Sequence, residues 1–152
     1  MKSFALKFLI SACEDGWTEF ESMCYQFYTG RLSWTSARLS CQAENADLPS
    51  IPDESTNDFL MELIKDSSSP WVLVGGQKVN GSFSWVDGTP WEYQRWGPGR
   101  PDNNWGNEDC LNIYANSDYG NGLKSLWNDI NCDGSGIING NRPYVCSKTI
   151  GI

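Results

Sequence analysis

The chain has 152 residues, 39% of them hydrophobic and 13% aromatic, with a formal charge of −8. That composition supports one domain with a packed core and argues against disorder. The charge argues against nucleic-acid backbones and acidic membrane surfaces, which need clustered Lys and Arg, and no apolar run is long enough to span a bilayer.

Residues 1–12 read as a tail or a truncated secretion signal: Lys2 and Lys7 precede the short apolar run Phe8-Leu9-Ile10, and Lys7 keeps the apolar stretch from being unbroken. The domain then runs over 13–152. Cys13 to Tyr28 is short, aromatic and punctuated by turn residues, which predicts a hairpin that Cys13 and Cys24 could staple. From Ser33 to Glu44 the period becomes helical, with Trp34, Ala37, Arg38 and Cys41 on one stripe and Ser33 as N-cap. A second helix is predicted from about Asp53 to Ile64, with Phe59, Leu60, Leu63 and Ile64 as its apolar face, ended by the Ser-Ser-Ser-Pro at 67–70.

Trp71 to Gly76 suits a buried strand. Asn80-Gly81 is a hairpin turn signal, and Phe83 to Val86 alternates as the return strand. From Asp87 to Arg142 the text turns to Gly, Asn, Pro and Asp, and periodicity disappears. Its embedded Trp91, Tyr93, Trp96, Trp105 and Trp127 predict an ordered long loop region. Tyr144 to Ser147 reads as a closing strand.

The six cysteines are Cys13, Cys24, Cys41, Cys110, Cys132 and Cys146. An even number fits a secreted, disulfide-bonded domain, and spacing alone leaves the pairing open. There is no C-x-x-C and no His, which argues against a structural zinc site and excludes histidine-based catalysis. Paired carboxylates could serve a glycosidase, but here they cluster in Asn-rich loops, and the chain is not read as an enzyme.

Two segments carry the chemistry: Arg100 to Cys110, RPDNNWGNEDC, and Trp127 to Cys132, WNDINC. Asp102, Glu108, Asn128 and Asp129 are oxygen donors in loops, a set suited to a hard cation such as calcium. The excess negative charge has two readings: carboxylates gathered around a cation, or an acidic solvated surface.

In this order the pieces resemble the C-type lectin-like domain, from Cys13 to Lys148. Gly16-Trp17 with Cys24-Tyr25 is similar to the opening hairpin of the long, six-cysteine form. Trp85-Val86-Asp87-Gly88, Trp96 to Asp102, Glu108-Asp109-Cys110 and Trp127-Asn128-Asp129 match further motifs of that family. Leu73-Val74-Gly75-Gly76 departs from its W-I-G-L strand, and the stretch from Cys110 to Trp127 is longer than usual.

The resemblance implies an α+β fold: two helices, small antiparallel sheets and a long disulfide-pinned loop region. It implies disulfides Cys13–Cys24, Cys41–Cys146 and Cys110–Cys132, and a cis peptide bond before Pro101. It also implies Ca2+ held by Asp102, Glu108, Asn128 and Asp129, with sugar contacts from Arg100, Asp102, Trp105, Glu108 and Asn128. Asp102 as third residue of the proline motif leans toward galactose-type over mannose-type sugars. A second loop calcium, near Asn80, Asn103 and Asp109, is expected weak or absent.

The implied role is a secreted, calcium-dependent lectin for carbohydrate or glycoconjugate, such as the microbial or cell-surface glycans of innate immunity, with homo-oligomerisation as a route to avidity. The alternative is a calcium-independent interaction module with a decayed metal site. Arg100 decides between them, because the family places an oxygen donor there and a guanidinium cannot bind a cation. The expectation is that Arg100 points outward toward a ligand; the competing reading pairs it with Asp102. Asn80-Gly81-Ser82 is also an N-glycosylation sequon.

Overall fold

The computed structural model describes residues 12–103, 106–120, 122–134 and 140–151. Strands β1 (Thr18–Phe20) and β2 (Met23–Leu32) form the opening hairpin. Glu21 and Ser22 turn the chain between them, both at positive φ. β2 runs further than the hairpin needs and pairs antiparallel with the last strand, β7 (Arg142–Thr149), with Tyr28 opposite Tyr144.

Helix α1 (Trp34–Ala43) follows the sequence reading closely. The Ser33 hydroxyl accepts from the Ser36 N–H at 3.1 Å, and Trp34, Ala37 and Cys41 form the buried face. Trp34 donates from Nε1 to the Val74 carbonyl at 2.8 Å, fixing the helix on the sheet. Helix α2 (Glu54–Leu63) is capped by Asp53, whose carboxylate accepts from the Thr56 N–H at 2.8 Å. Leu60 and Ile64 are fully buried, while Phe59 and Leu63 are half-buried.

β3 (Trp71–Val79) and β4 (Ser82–Trp85) make the predicted Asn-Gly hairpin. Gly75 is required by close approach: a Cβ there would stand 2.5 Å from the Leu48 carbonyl oxygen and 2.8 Å from that of Pro49. The Gly75 N–H donates to that Pro49 oxygen at 2.8 Å.

Two further strands lie where only loop is expected from the sequence: β5 (Cys110–Tyr114) and β6 (Trp127–Ile130), paired antiparallel. Every residue of β5 is buried, so it lacks the alternation by which a half-buried strand is recognised. The strands form one mixed sheet of seven in the order β1-β2-β7-β3-β5-β6, with β4 paired to β3 off this path. The expected two helices and antiparallel strand pairs are present, and β3 and β7 meet through the parallel contact of Leu73 with Tyr144.

The disulfides are Cys13–Cys24, Cys41–Cys146 and Cys110–Cys132, the pairs implied by the resemblance. The aromatic residues of the long loop pack around Trp127, which is fully buried. Trp85, Trp91, Tyr93 and Trp96 meet its ring edge-on, with centroids 5.4–6.0 Å away. Such pairs add ~0.5–1.5 kcal/mol each beyond area burial. The Trp127 N–H donates to the Arg95 carbonyl at 2.8 Å and its own carbonyl accepts from Gly97 at 2.9 Å, so β6 and the loop are laced together. Among the described residues no helix is long and apolar enough to cross a membrane.

Candidate metal centre

Strand β6 presents Asp129, a carboxylate with no exposed surface. Its Oδ1 accepts from the Asp102 N–H at 3.1 Å, and its Oδ2 from the Asn103 N–H at 2.7 Å. One buried side chain thereby sets the height of the loop above the sheet. Asn103, at φ 48°, continues the network: its Oδ1 accepts from the Glu108 N–H at 3.0 Å. The Arg100–Pro101 peptide bond is cis, as the resemblance implies.

These contacts bring together one carboxylate oxygen each from Asp102, Glu108 and Asp129, all within 4.8 Å of one another. Oxygens bound to a single calcium at ~2.3–2.6 Å can lie up to about 5 Å apart, so the spacing fits one ion. Burial pushes the Asp129 carboxyl above its ordinary pKa; the two backbone N–H groups pull it back, and the Asp102 charge raises it again.

Asn128 is held differently. It faces Asn112 across the β5–β6 pair and donates to its Oδ1 at 3.1 Å, while its own Oδ1 is buried with no hydrogen-bond partner. The described geometry therefore groups three of the four expected ligands, and sets Asn128 beside them in sequence but bonded to the neighbouring strand.

Arg100 does not point outward. Its Nη1 donates to Asp102 Oδ2 in a close ion pair, with both side chains about one-third exposed. The carboxylate trio carries −3, and Arg100 reduces this to −2. The donor set thus suits a hard divalent ion, and the Arg100 guanidinium competes with it for Asp102.

At the second expected calcium position, Asp109 is occupied by Lys78, with Nζ 3.4 Å from its carboxylate. Asn103 is spent on the Glu108 N–H. Trp105 lies outside the described residues. Asn80 stands at the exposed tip of the β3–β4 hairpin.

Two supporting residues escape the sequence reading. Asn57, fully buried in α2, accepts from Trp127 Nε1 at 2.9 Å and donates to the Ser125 carbonyl at 3.1 Å. Asn112, also fully buried, holds Asn128. A signal for Asn57 exists: it falls on the apolar stripe of α2, three residues before Leu60 and seven before Ile64, where a polar side chain needs a buried partner.

The family model of the lectin C-type domain matches residues 30–148. A lectin of Pleurodeles waltl is 35% identical over 143 residues, covering 90% of this chain and 76% of that protein. The low affinity immunoglobulin epsilon Fc receptor of Mus musculus is 33% identical over 79% of this chain, which spans only 34% of the receptor. Among solved structures, the carbohydrate-recognition domain of cow CD23, determined in the presence of a GlcNAc2Man3 oligosaccharide, superposes with a TM-score of 0.75 at 25% identity, covering 92% of this chain and 98% of that one. The Ca2+-independent C-type lectin SPL-2 of Saxidomus purpuratus is similar at a TM-score of 0.76 and 25% identity, covering 92% and 96%.

Proposed function

The chain belongs to the C-type lectin domain family, and on that premise we propose that it binds carbohydrate at the loop of Arg100 to Glu108, with calcium as the bridging ion. The observation that carries this reading is the convergence of Asp102, Glu108 and Asp129 within 4.8 Å from three places in the sequence. Bound there, calcium would supply open coordination positions for two neighbouring sugar hydroxyls. The protein's own residues do the rest. Asp129 holds the loop through the Asp102 and Asn103 N–H groups, Glu108 and Asp102 supply ligand oxygens at its rim, and Asn128 is the fourth expected oxygen donor.

Arg100 sets the strength. To admit the ion, the guanidinium must give up Asp102, so calcium is held weakly and the Arg100 donors are freed toward the sugar. Asp102 favours galactose-type over mannose-type ligands. The domain acts by binding, without catalysis, and in a secreted setting that keeps its disulfides oxidised.

The Arg100–Asp102 pair favours a second reading, in which the guanidinium permanently replaces the ion and ligands bind without calcium. Similarity to a Ca2+-independent lectin supports it as well. A glycan array read with calcium and with chelator separates the two. Galactose-type signals lost in chelator support the first; signals unchanged in chelator support the second.

A further inference from the structure

We propose that Asn80 carries an N-linked oligosaccharide. Asn80-Gly81-Ser82 is the one Asn-x-Ser/Thr sequence in the 152 residues. The fold displays it at the tip of the β3–β4 hairpin, where Val79 pairs with Ser82 across a two-residue turn. Asn80 at φ 52° and Gly81 at φ 84° are both left-handed, which explains why the turn uses Asn-Gly. It does not explain Ser82. Neither the Ser82 hydroxyl nor the Asn80 amide makes a hydrogen bond with the described residues, so the fold leaves both groups available.

Access is open as well. Residues 79–82 are all exposed, and a Cβ added at Gly81 would meet nothing within 4 Å. The three disulfides place folding in an oxidising compartment, the setting in which this modification is made. β4 pairs only with β3 among the described strands, so no strand lies along its other edge, and Val79, before the turn in β3, is 52% exposed. An oligosaccharide on Asn80 would cover that edge against pairing with another chain.

The transfer is chemically complete with a lipid-pyrophosphate-linked oligosaccharide as donor. Asn80 Nδ2 bonds to the anomeric carbon, the bond from that carbon to the pyrophosphate oxygen breaks, the lipid pyrophosphate leaves, and the amide proton passes to the transferase. This inference is independent of calcium.

The test is the intact mass of the full chain, secreted from a eukaryotic host behind a host signal, before and after peptide-N-glycosidase. The wild type is expected to be heavier than its sequence, with the excess removed by the glycosidase. Ser82→Ala and Asn80→Asp, the latter chosen because Asp tolerates left-handed backbone, should both lack the excess, while Ser82→Thr keeps it. A wild type secreted at its sequence mass, or an excess that survives in Ser82→Ala, overturns the proposal.

Discussion

The Trp127 indole donates from Nε1 to Asn57 Oδ1, 2.9 Å away, and this bond ties helix α2 to the strand that carries Asp129. Asn57 also donates to the Ser125 carbonyl. Asn57→Ala leaves a buried donor and a carbonyl without partners, at ~1–3 kcal/mol for each buried group orphaned. Urea unfolding should show a loss of about 2–4 kcal/mol, and calcium affinity should fall because β6 is no longer fixed.

Arg100 holds Asp102 by an ion pair. Two unit charges ~4 Å apart interact by about 4 kcal/mol at an effective dielectric of 20, and partial exposure reduces this. Arg100→Gln removes the competitor and adds an oxygen donor. Calorimetric titration should show calcium binding at least about tenfold tighter, equivalent to ~1.4 kcal/mol. Unchanged affinity would mean that Arg100 does not compete with the ion.

The disulfides differ in the loops they close. Cys41–Cys146 spans 105 residues and Cys13–Cys24 spans 11. In the chain-entropy model the first constrains the unfolded chain by about 4.8 kcal/mol and the second by about 2.8 kcal/mol. Replacing both cysteines of each pair with Ala should therefore lower Tm more for Cys41/Cys146 than for Cys13/Cys24.

Asp53 caps α2, and the Thr56 N–H holds its carboxyl below the ordinary pKa. A depressed folded pKa means stability that is present above the unfolded value of ~3.9 and lost as pH falls through the folded value. Asp53→Ala should cost about 1 kcal/mol at neutral pH. Denaturation curves of the two proteins should converge in acid, below the depressed folded pKa of Asp53.

Much of this was legible in the sequence because it is local. Ser33 and Asp53 are caps that read directly, Asn80-Gly81 marks its own turn, and the apolar stripes give the buried faces of both helices. β5 and β6 were not legible. Cys-Leu-Asn-Ile-Tyr is buried throughout and contains a buried Asn112 that only pairing with Asn128 explains. The motif residues Asp102, Glu108 and Asp129 could be named from the sequence, and their convergence rests on backbone bonds from Asp102 and Asn103 to Asp129. The direction of Arg100, which pairs with Asp102, is not legible in the sequence. A side chain two residues from its partner can face either way in a loop.

The most direct measurement is thermal unfolding of the wild type with calcium and with chelator. A ligand that binds only the folded state raises stability by RT ln(1 + [L]/Kd), so Tm must climb as calcium is added. Tm is expected to rise with calcium, an increase that Asp129→Asn abolishes and Arg100→Gln enlarges. Superimposable melts of the wild type in calcium and in chelator would contradict it.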